Sequence, residues 1–115
     1  MGILGPSQQI MEAALQLRSA RGELLAGNVA NADTPGYRVV DIDFDRALQS
    51  AMAKNEDQAE FATKITTLEN LRYDGNDVDG SQELAKAYEN SLGYVATLKL
   101  YGDSVERIKS ALSSS

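Results

Sequence analysis

The sequence predicts a mostly α-helical chain whose long N- and C-terminal helices pair as an elongated hairpin or coiled coil, with a poorly ordered middle segment. Two observations support this: large apolar residues recur at helical spacing near both ends, and the stretch between them is polar. At 115 residues there is room for one domain. We expect a helix at about 7–32, a turn with an extended or short helical segment at 33–52, a mobile loop at 53–80 and a helix at about 81–112.

The N-terminal helix carries a seam of large residues separated by small ones. Ile10, Leu17 and Leu24 recur every seven residues, and Ala or Gly fills the interleaved positions. Such a seam packs either within its own domain or against another chain, and the pattern does not separate the two. Ser7 is the expected N-cap.

A turn follows this helix at Thr34–Tyr37. Pro35 fixes its own φ and disfavours the α region for the residue before it, so the helix should end near residue 32. Gly36 suits the position of a type II turn that needs a positive φ. Asn28 and Asn31 are three residues apart on one helix face, where amides commonly bind the last carbonyl groups.

Three aspartates follow the turn at alternating positions, Asp41, Asp43 and Asp45. In a strand they share one face, and we interpret them as a solvated edge rather than a cation site. Asp41 or Asp43 is expected to cap a short helix that contains Phe44 and Leu48.

The C-terminal helix is the longest predicted element, and Asp79 or Ser81 is its expected N-cap. Its apolar residues follow spacings of three and four and form one broad stripe. A simple two-helix hairpin would cover such a stripe poorly, so we expect it to meet helices of other subunits. The predicted assembly seam comprises Ile10, Leu17, Leu24, Leu84, Leu92, Val95, Leu98, Val105 and Ile108.

Composition excludes several classes of function. The net charge of −6 argues against binding to nucleic acid or an anionic membrane surface. The chain has no Cys and no His, which removes the usual zinc ligands, the Cys nucleophile and the His general base. No apolar run is long enough for direct membrane insertion, and the N-terminus does not read as a cleaved signal peptide. We therefore expect neither catalysis nor a cofactor.

The two ends of the sequence resemble one family. The run Asn28–Tyr37, followed by Asp41–Phe44, is similar to the signature of bacterial flagellar rod and hook proteins, and within that family to the proximal rod type. A second match, Gly75–Asp79 with Glu83 and Glu89–Tyr94, resembles the C-terminal run of the same family.

The resemblance implies a non-enzymatic structural subunit of the proximal rod in the flagellar basal body. Such a subunit would assemble with itself and with other rod and basal-body proteins, and would leave the cytoplasm through the flagellar export apparatus without a cleaved signal. Phe44 and Leu48 resemble a short export motif of these subunits, although both also suit a local core. The alternative function is a soluble helical adaptor, or an export-linked binding protein, that acts through the same apolar stripes.

Overall fold

The computed structural model describes residues 5–54, 71–74 and 79–114, with only the backbone described at 53, 54 and 71–74. The element order is α1 (Pro6–Ala30), β1 (Val39–Ile42), α2 (Phe44–Lys54), β2 (Leu71–Asp74) and α3 (Gly80–Ser113). The chain extends over 62 × 26 × 17 Å, because α1 and α3 pack side by side along most of their length. The predicted helical hairpin is confirmed. Most of the predicted loop at 53–80 lies outside the described residues.

Helix α1 begins one residue before the predicted cap. Gly5 is the N-cap, Pro6 occupies the first helical position, and the Gly5 N–H donates to Gln8 Oε1 at 3.1 Å. The prediction of Ser7 as the N-cap is therefore wrong. Pro is favoured at the first helical position because its missing N–H would have no partner there and its fixed φ suits the helix.

The turn after α1 has the predicted geometry. Gly36 has φ of 76°, and the Tyr37 N–H donates to the Thr34 carbonyl at 3.2 Å, which closes a type II turn over Pro35 and Gly36. This turn leads the chain into β1, which pairs antiparallel with β2 in the register Val39 to Asp74 and Ile42 to Leu71.

The caps of the other two helices were predicted correctly within the stated alternatives. Asp43 precedes α2, and its Oδ1 accepts from the Arg46 N–H at 3.3 Å. Asp79 is the N-cap of α3 and accepts from the Ser81 and Gln82 N–H groups at 3.0 and 3.4 Å. Each carboxylate satisfies helix N–H groups that have no partner within the helix.

A small apolar core lies where α1 meets β1 and α2. Its buried members are Ala13, Leu17, Ile42, Ala47 and Ala51, and Ala20, Leu24, Phe44 and Leu48 pack against it. Helix α3 contributes no member to this cluster. The 34-residue α3, about 50 Å long, packs against the rest of the chain outside the main core.

Candidate functional site

Asn28 forms the centre of a buried polar network at one end of the helical hairpin. Its Nδ2 donates to the Val40 carbonyl and to Glu83 Oε1, both at 2.8 Å. Its Oδ1 accepts from the Val40 N–H and the Tyr37 hydroxyl, both at 3.2 Å. Glu83 is buried and also pairs with Lys86 at 3.0 Å. One amide side chain thereby connects α1, the turn, β1 and α3.

Asn31 has a different and more local role, although it lies only three residues away. Its Nδ2 donates to the Gly27 carbonyl at 2.8 Å, and its Oδ1 accepts from the Thr34 hydroxyl at 3.3 Å. It therefore ends α1 by binding a terminal carbonyl, as expected for an amide there. Pro35 and Gly36 are exposed beyond it. The interpretation of both amides as carbonyl-binding caps holds for Asn31 and is wrong for Asn28.

A second buried contact attaches β1 to α1. Arg21 Nε and an Nη donate to the two carboxylate oxygens of Asp41 at 2.8 and 3.1 Å, and Asp41 is almost fully buried. The hydrogen bond to Asp41 raises the pKa of Arg21 further above its usual range, against the opposing effect of burial. The interpretation of Asp41 as part of a solvated edge is wrong, because Arg21 supplies a bidentate partner.

Polar groups also bridge α1 and α3 along the rest of the hairpin. Asn90 Nδ2 donates to the Arg18 carbonyl at 2.8 Å, and the Tyr101 hydroxyl donates to Glu12 Oε1 at 2.5 Å. The hydrogen bond to Glu12, together with burial, raises the pKa of Tyr101. Asn90 and Ser104 are both buried. The side of α3 that faces α1 is therefore largely polar.

Five large apolar residues of α3, between residues 84 and 98, face away from α1. Leu84, Tyr88, Leu92, Val95 and Leu98 form a surface that we call the apolar band, and each of them is exposed. Leu92 has the largest exposed fraction of the five, 70%. At about 100° per residue these side chains fall within about 120° of the helix circumference. Among the residues that the structure describes, a continuous apolar face of α3 is thus exposed.

The predicted seam residues occupy several environments. Leu17 is buried in the internal core and Leu24 packs against it, whereas Ile10 is exposed. Val105 and Ile108 are half-buried. The four remaining seam residues, all on α3, belong to the apolar band: Leu84, Leu92, Val95 and Leu98.

Phe44 and Leu48, the residues of the predicted export motif, both pack against the core. The Arg18 guanidinium lies 4.8 Å above the Phe44 ring centroid, a cation–π contact that ties α2 to α1. Their local packing explains both residues without a further role, and the export motif stays a prediction.

The residues that sequence reasoning missed are Arg21, Asn90 and the buried state of Asp41 and Glu83. Their partners lie between 20 and 72 residues away along the chain, so no local spacing indicates them. Within the described residues, no group of three or more His, Cys, Asp or Glu side chains is placed to hold a metal ion. No helix in that part of the chain is long and apolar enough to cross a membrane.

Comparison with known proteins decides the family. Residues 9–38 match the family model described as "Flagella basal body rod protein". The chain is 33% identical to the flagellar basal body rod protein FlgB of Aeromonas hydrophila, with 90% of this chain and 89% of that protein covered. It is 32% identical to FlgB of Escherichia coli K12, with 96% of each covered. The chain belongs to the FlgB family of flagellar basal body rod proteins.

Membership in the FlgB family extends over nearly the whole chain, since FlgB of Salmonella typhimurium is 31% identical with 95% of this chain and 94% of that protein covered. The chain is therefore a structural subunit of the rod, located in the flagellar basal body. This confirms the function implied by the two sequence runs, and it does not favour the adaptor alternative. The relatives are structural proteins and not enzymes.

Proposed function

We propose that this FlgB-family subunit assembles into the rod by packing the apolar band of α3 against helices of neighbouring rod subunits. The observation that supports this is the exposure of the band: five large apolar side chains on one helix face are exposed in the part of the chain that the structure describes. Covering one such side chain contributes about 1.5–3 kcal/mol, so the band supplies a substantial driving force for association.

The charges around the band suit packing between helices. Between Leu84 and Leu98 the charged residues are Lys86, which pairs with Glu83, and Glu89. A chain of net charge −6 therefore offers a face where association requires little burial of charge. The exposed apolar band has the composition of a helix face that packs inside a helical bundle.

The export route is a separate part of the proposal. Because Phe44 and Leu48 pack against the core in the folded chain, an export apparatus that reads them would have to act on a state in which α2 has separated from α1. Replacing Leu48 by Ser and measuring secreted subunit against cellular subunit tests this, with Leu92→Asp as the variant expected to be secreted normally.

The assembly proposal is tested by expressing the Leu92→Asp variant in a strain that is normally motile and from which the native gene has been deleted. The control is Leu100→Asp, because Leu100 is also well exposed, at 61%, but is turned about 140° around the helix from Val95. We expect Leu92→Asp to abolish rod assembly and motility, since it places a charge in a contact that becomes buried. Leu100→Asp should have a smaller effect.

The readouts are swimming in soft agar and electron microscopy of isolated basal bodies, with circular dichroism to show that both purified variants keep the helical content of the wild type. Normal motility in the Leu92→Asp strain would overturn the assignment of the band as an assembly surface.

A further inference from the structure

A groove of about 380 Å³ lies between α1 and α3 beside the apolar band. Small residues line much of it, with Ser19 and Gly22 on α1 and Ser91 on α3. Val95 belongs to both the groove and the band, so the two form one continuous surface. A concavity of this size and lining can hold one large side chain from outside the chain.

Two polar atoms of groove-lining residues have unmet hydrogen-bonding capacity. Asn90 is 3% exposed and its Nδ2 donates to the Arg18 carbonyl, but its Oδ1 has no hydrogen-bond partner among the described residues. The Nε of Arg18 is also buried and has no acceptor within the same part of the chain. One acceptor and one donor at the same groove thus have no hydrogen-bond partner among the described residues, whereas buried polar atoms in proteins are normally paired.

We propose that the groove receives Tyr88 of a second copy of this chain. The inference rests on the proposed assembly function and names one partner of the same surface. The phenol hydroxyl is both a donor and an acceptor, so it can donate to Asn90 Oδ1 and accept from Arg18 Nε. The ring would lie over Gly22 and against Val95. An apolar side chain such as Leu would fill the same space but leave both polar atoms unmet.

Tyr88 is the residue of the band that carries both properties. It is 68% exposed and is the one tyrosine among the five band residues. Tyr94, the other tyrosine of this region, already lines the groove of its own chain. A second copy fits as the partner because Tyr88 and the groove lie side by side on one surface. Among the described residues that line the groove, Arg18 is the one charged residue and none is acidic, so two copies can dock there with little repulsion despite their net charge of −6.

The groove has room for the incoming ring, but Arg18 Nε is buried, so the Arg18 side chain must rotate before the hydroxyl can reach it. The Arg18 guanidinium stacks over the Phe44 ring on one side, and on the other it lies so close to Gly93 that a Cβ at that position would clash with it. Neither contact is an ion pair, and the long Arg side chain can rotate away from both. Such a rotation exposes Nε to the hydroxyl that enters the groove.

The proposal is tested by sedimentation velocity of the purified full chain over a range of concentrations. Wild type should self-associate reversibly. Tyr88→Phe should weaken self-association about 2- to 10-fold, because the ring remains while the hydroxyl is lost. Tyr88→Ala should weaken it more than about 100-fold, because the buried ring area is lost as well. Tyr88 is exposed, so neither variant should alter the helical content of the monomer.

A mixing experiment shows whether Tyr88 of one copy binds in the groove of another. Ser19→Trp fills the groove from an exposed position and keeps Tyr88 intact, and Ser91→Trp serves if Ser19→Trp lowers the helical content. We expect Tyr88→Ala alone and Ser19→Trp alone to remain monomeric. An equimolar mixture should form a 1:1 complex, since the groove of the first variant can receive Tyr88 of the second.

Two results with the variants would overturn the proposal: a mixture that contains no complex, or a Tyr88→Ala variant that associates as strongly as wild type. A wild-type chain that stays monomeric also overturns it. In that case binding to a purified neighbouring rod protein, measured in parallel with Leu92→Asp, shows whether the proposed assembly function still stands without a second copy in the groove.

Discussion

Replacing Asn28 by Ala should destabilise the folded chain far more than the same change at Asn31. Asn28 is fully buried and makes four hydrogen bonds through its side chain, with Val40, Tyr37 and Glu83. At roughly 0.5–1.5 kcal/mol each, with an added cost for the buried Glu83 oxygen left unpaired, the loss is about 3–5 kcal/mol. Asn31→Ala removes a bond to Gly27 and a longer exposed one, and should cost about 1 kcal/mol.

Urea unfolding followed by circular dichroism measures both free energies of unfolding. In a domain of this size, 1 kcal/mol corresponds to a shift of about 4 °C in Tm, so thermal unfolding should separate the two variants by about 8–16 °C. The pair is matched in residue type, helix and sequence neighbourhood. Equal destabilisation by the two substitutions would refute the assignment of Asn28 as the network centre.

Asn28→Asp tests the same network with nearly unchanged shape. The substitution removes both donors of Nδ2 and places a second carboxylate within about 3 Å of Glu83 Oε1, where the two carboxylates would repel each other. Protonation of one carboxylate relieves the repulsion, so the stability deficit of Asn28→Asp relative to wild type should be smaller at pH 4 than at pH 7. A deficit that does not depend on pH would contradict a direct contact between these side chains.

Three further predictions concern single residues. Arg21→Met leaves the buried Asp41 carboxylate without its bidentate partner and should cost about 3 kcal/mol in urea unfolding; a loss below about 1 kcal/mol would contradict this. An added Cβ would meet nothing within 4 Å at Gly36 or at Gly102, so backbone preference decides the effect of Ala at both sites. Gly36→Ala should destabilise the chain by about 1 kcal/mol because φ is positive there. Gly102→Ala should stabilise it by up to about 1 kcal/mol because Gly102 lies within a helix. The raised pKa of Tyr101 means that the folded state holds this proton more tightly than the unfolded state. The stability from this hydrogen bond is therefore fully present below about pH 10 and is lost as the pH rises through the folded pKa. In Tyr101→Phe, the free energy of unfolding should decrease less between pH 9 and pH 11 than it does in wild type.

The features predicted from the sequence are those that neighbouring residues determine. The two long helices follow from apolar spacing, and the turn follows from Pro35 and Gly36, whose backbone preferences act within four residues. The caps at Asp43 and Asp79 are local in the same sense. The N-cap of α1 is predicted two residues too late, at Ser7 instead of Gly5, although Pro6 after Gly5 is itself a local signal for the first helical position.

The buried polar contacts could not be predicted in this way. Asn28 and Asn31 are the same residue type on one helix face, and what separates them is Glu83, which lies 55 residues further along the chain. Asp41 looks like one of three alternating surface carboxylates until Arg21 is placed beside it. A single sequence carries the pattern of each element, but the pairing of elements depends on long-range packing.

Helix α3 contacts α1 through its polar side, which is the opposite of what its apolar periodicity predicts. Periodicity indicates an apolar stripe, yet in the structure Glu83 and Asn90 form hydrogen bonds with α1 while the apolar band is exposed. A helix normally buries its apolar side within its own domain. The reversal is reasonable for a rod subunit, because the apolar side is then available to neighbouring subunits while polar groups hold the hairpin together.

Hydrogen bonds between α1 and α3 define the register of this hairpin in a way that an apolar contact would not. The pairs Asn28–Glu83, Arg18–Asn90 and Glu12–Tyr101 follow an antiparallel order along the two helices, and each is directional. Two apolar faces can slide by a helical turn at modest cost, whereas a slide here would leave buried polar groups unpaired. The polar contacts therefore fix the position of the apolar band along the hairpin axis relative to the α1 side of the groove. Because polar pairs contribute little net stability, subunit contacts through the band should add stability that the isolated hairpin lacks.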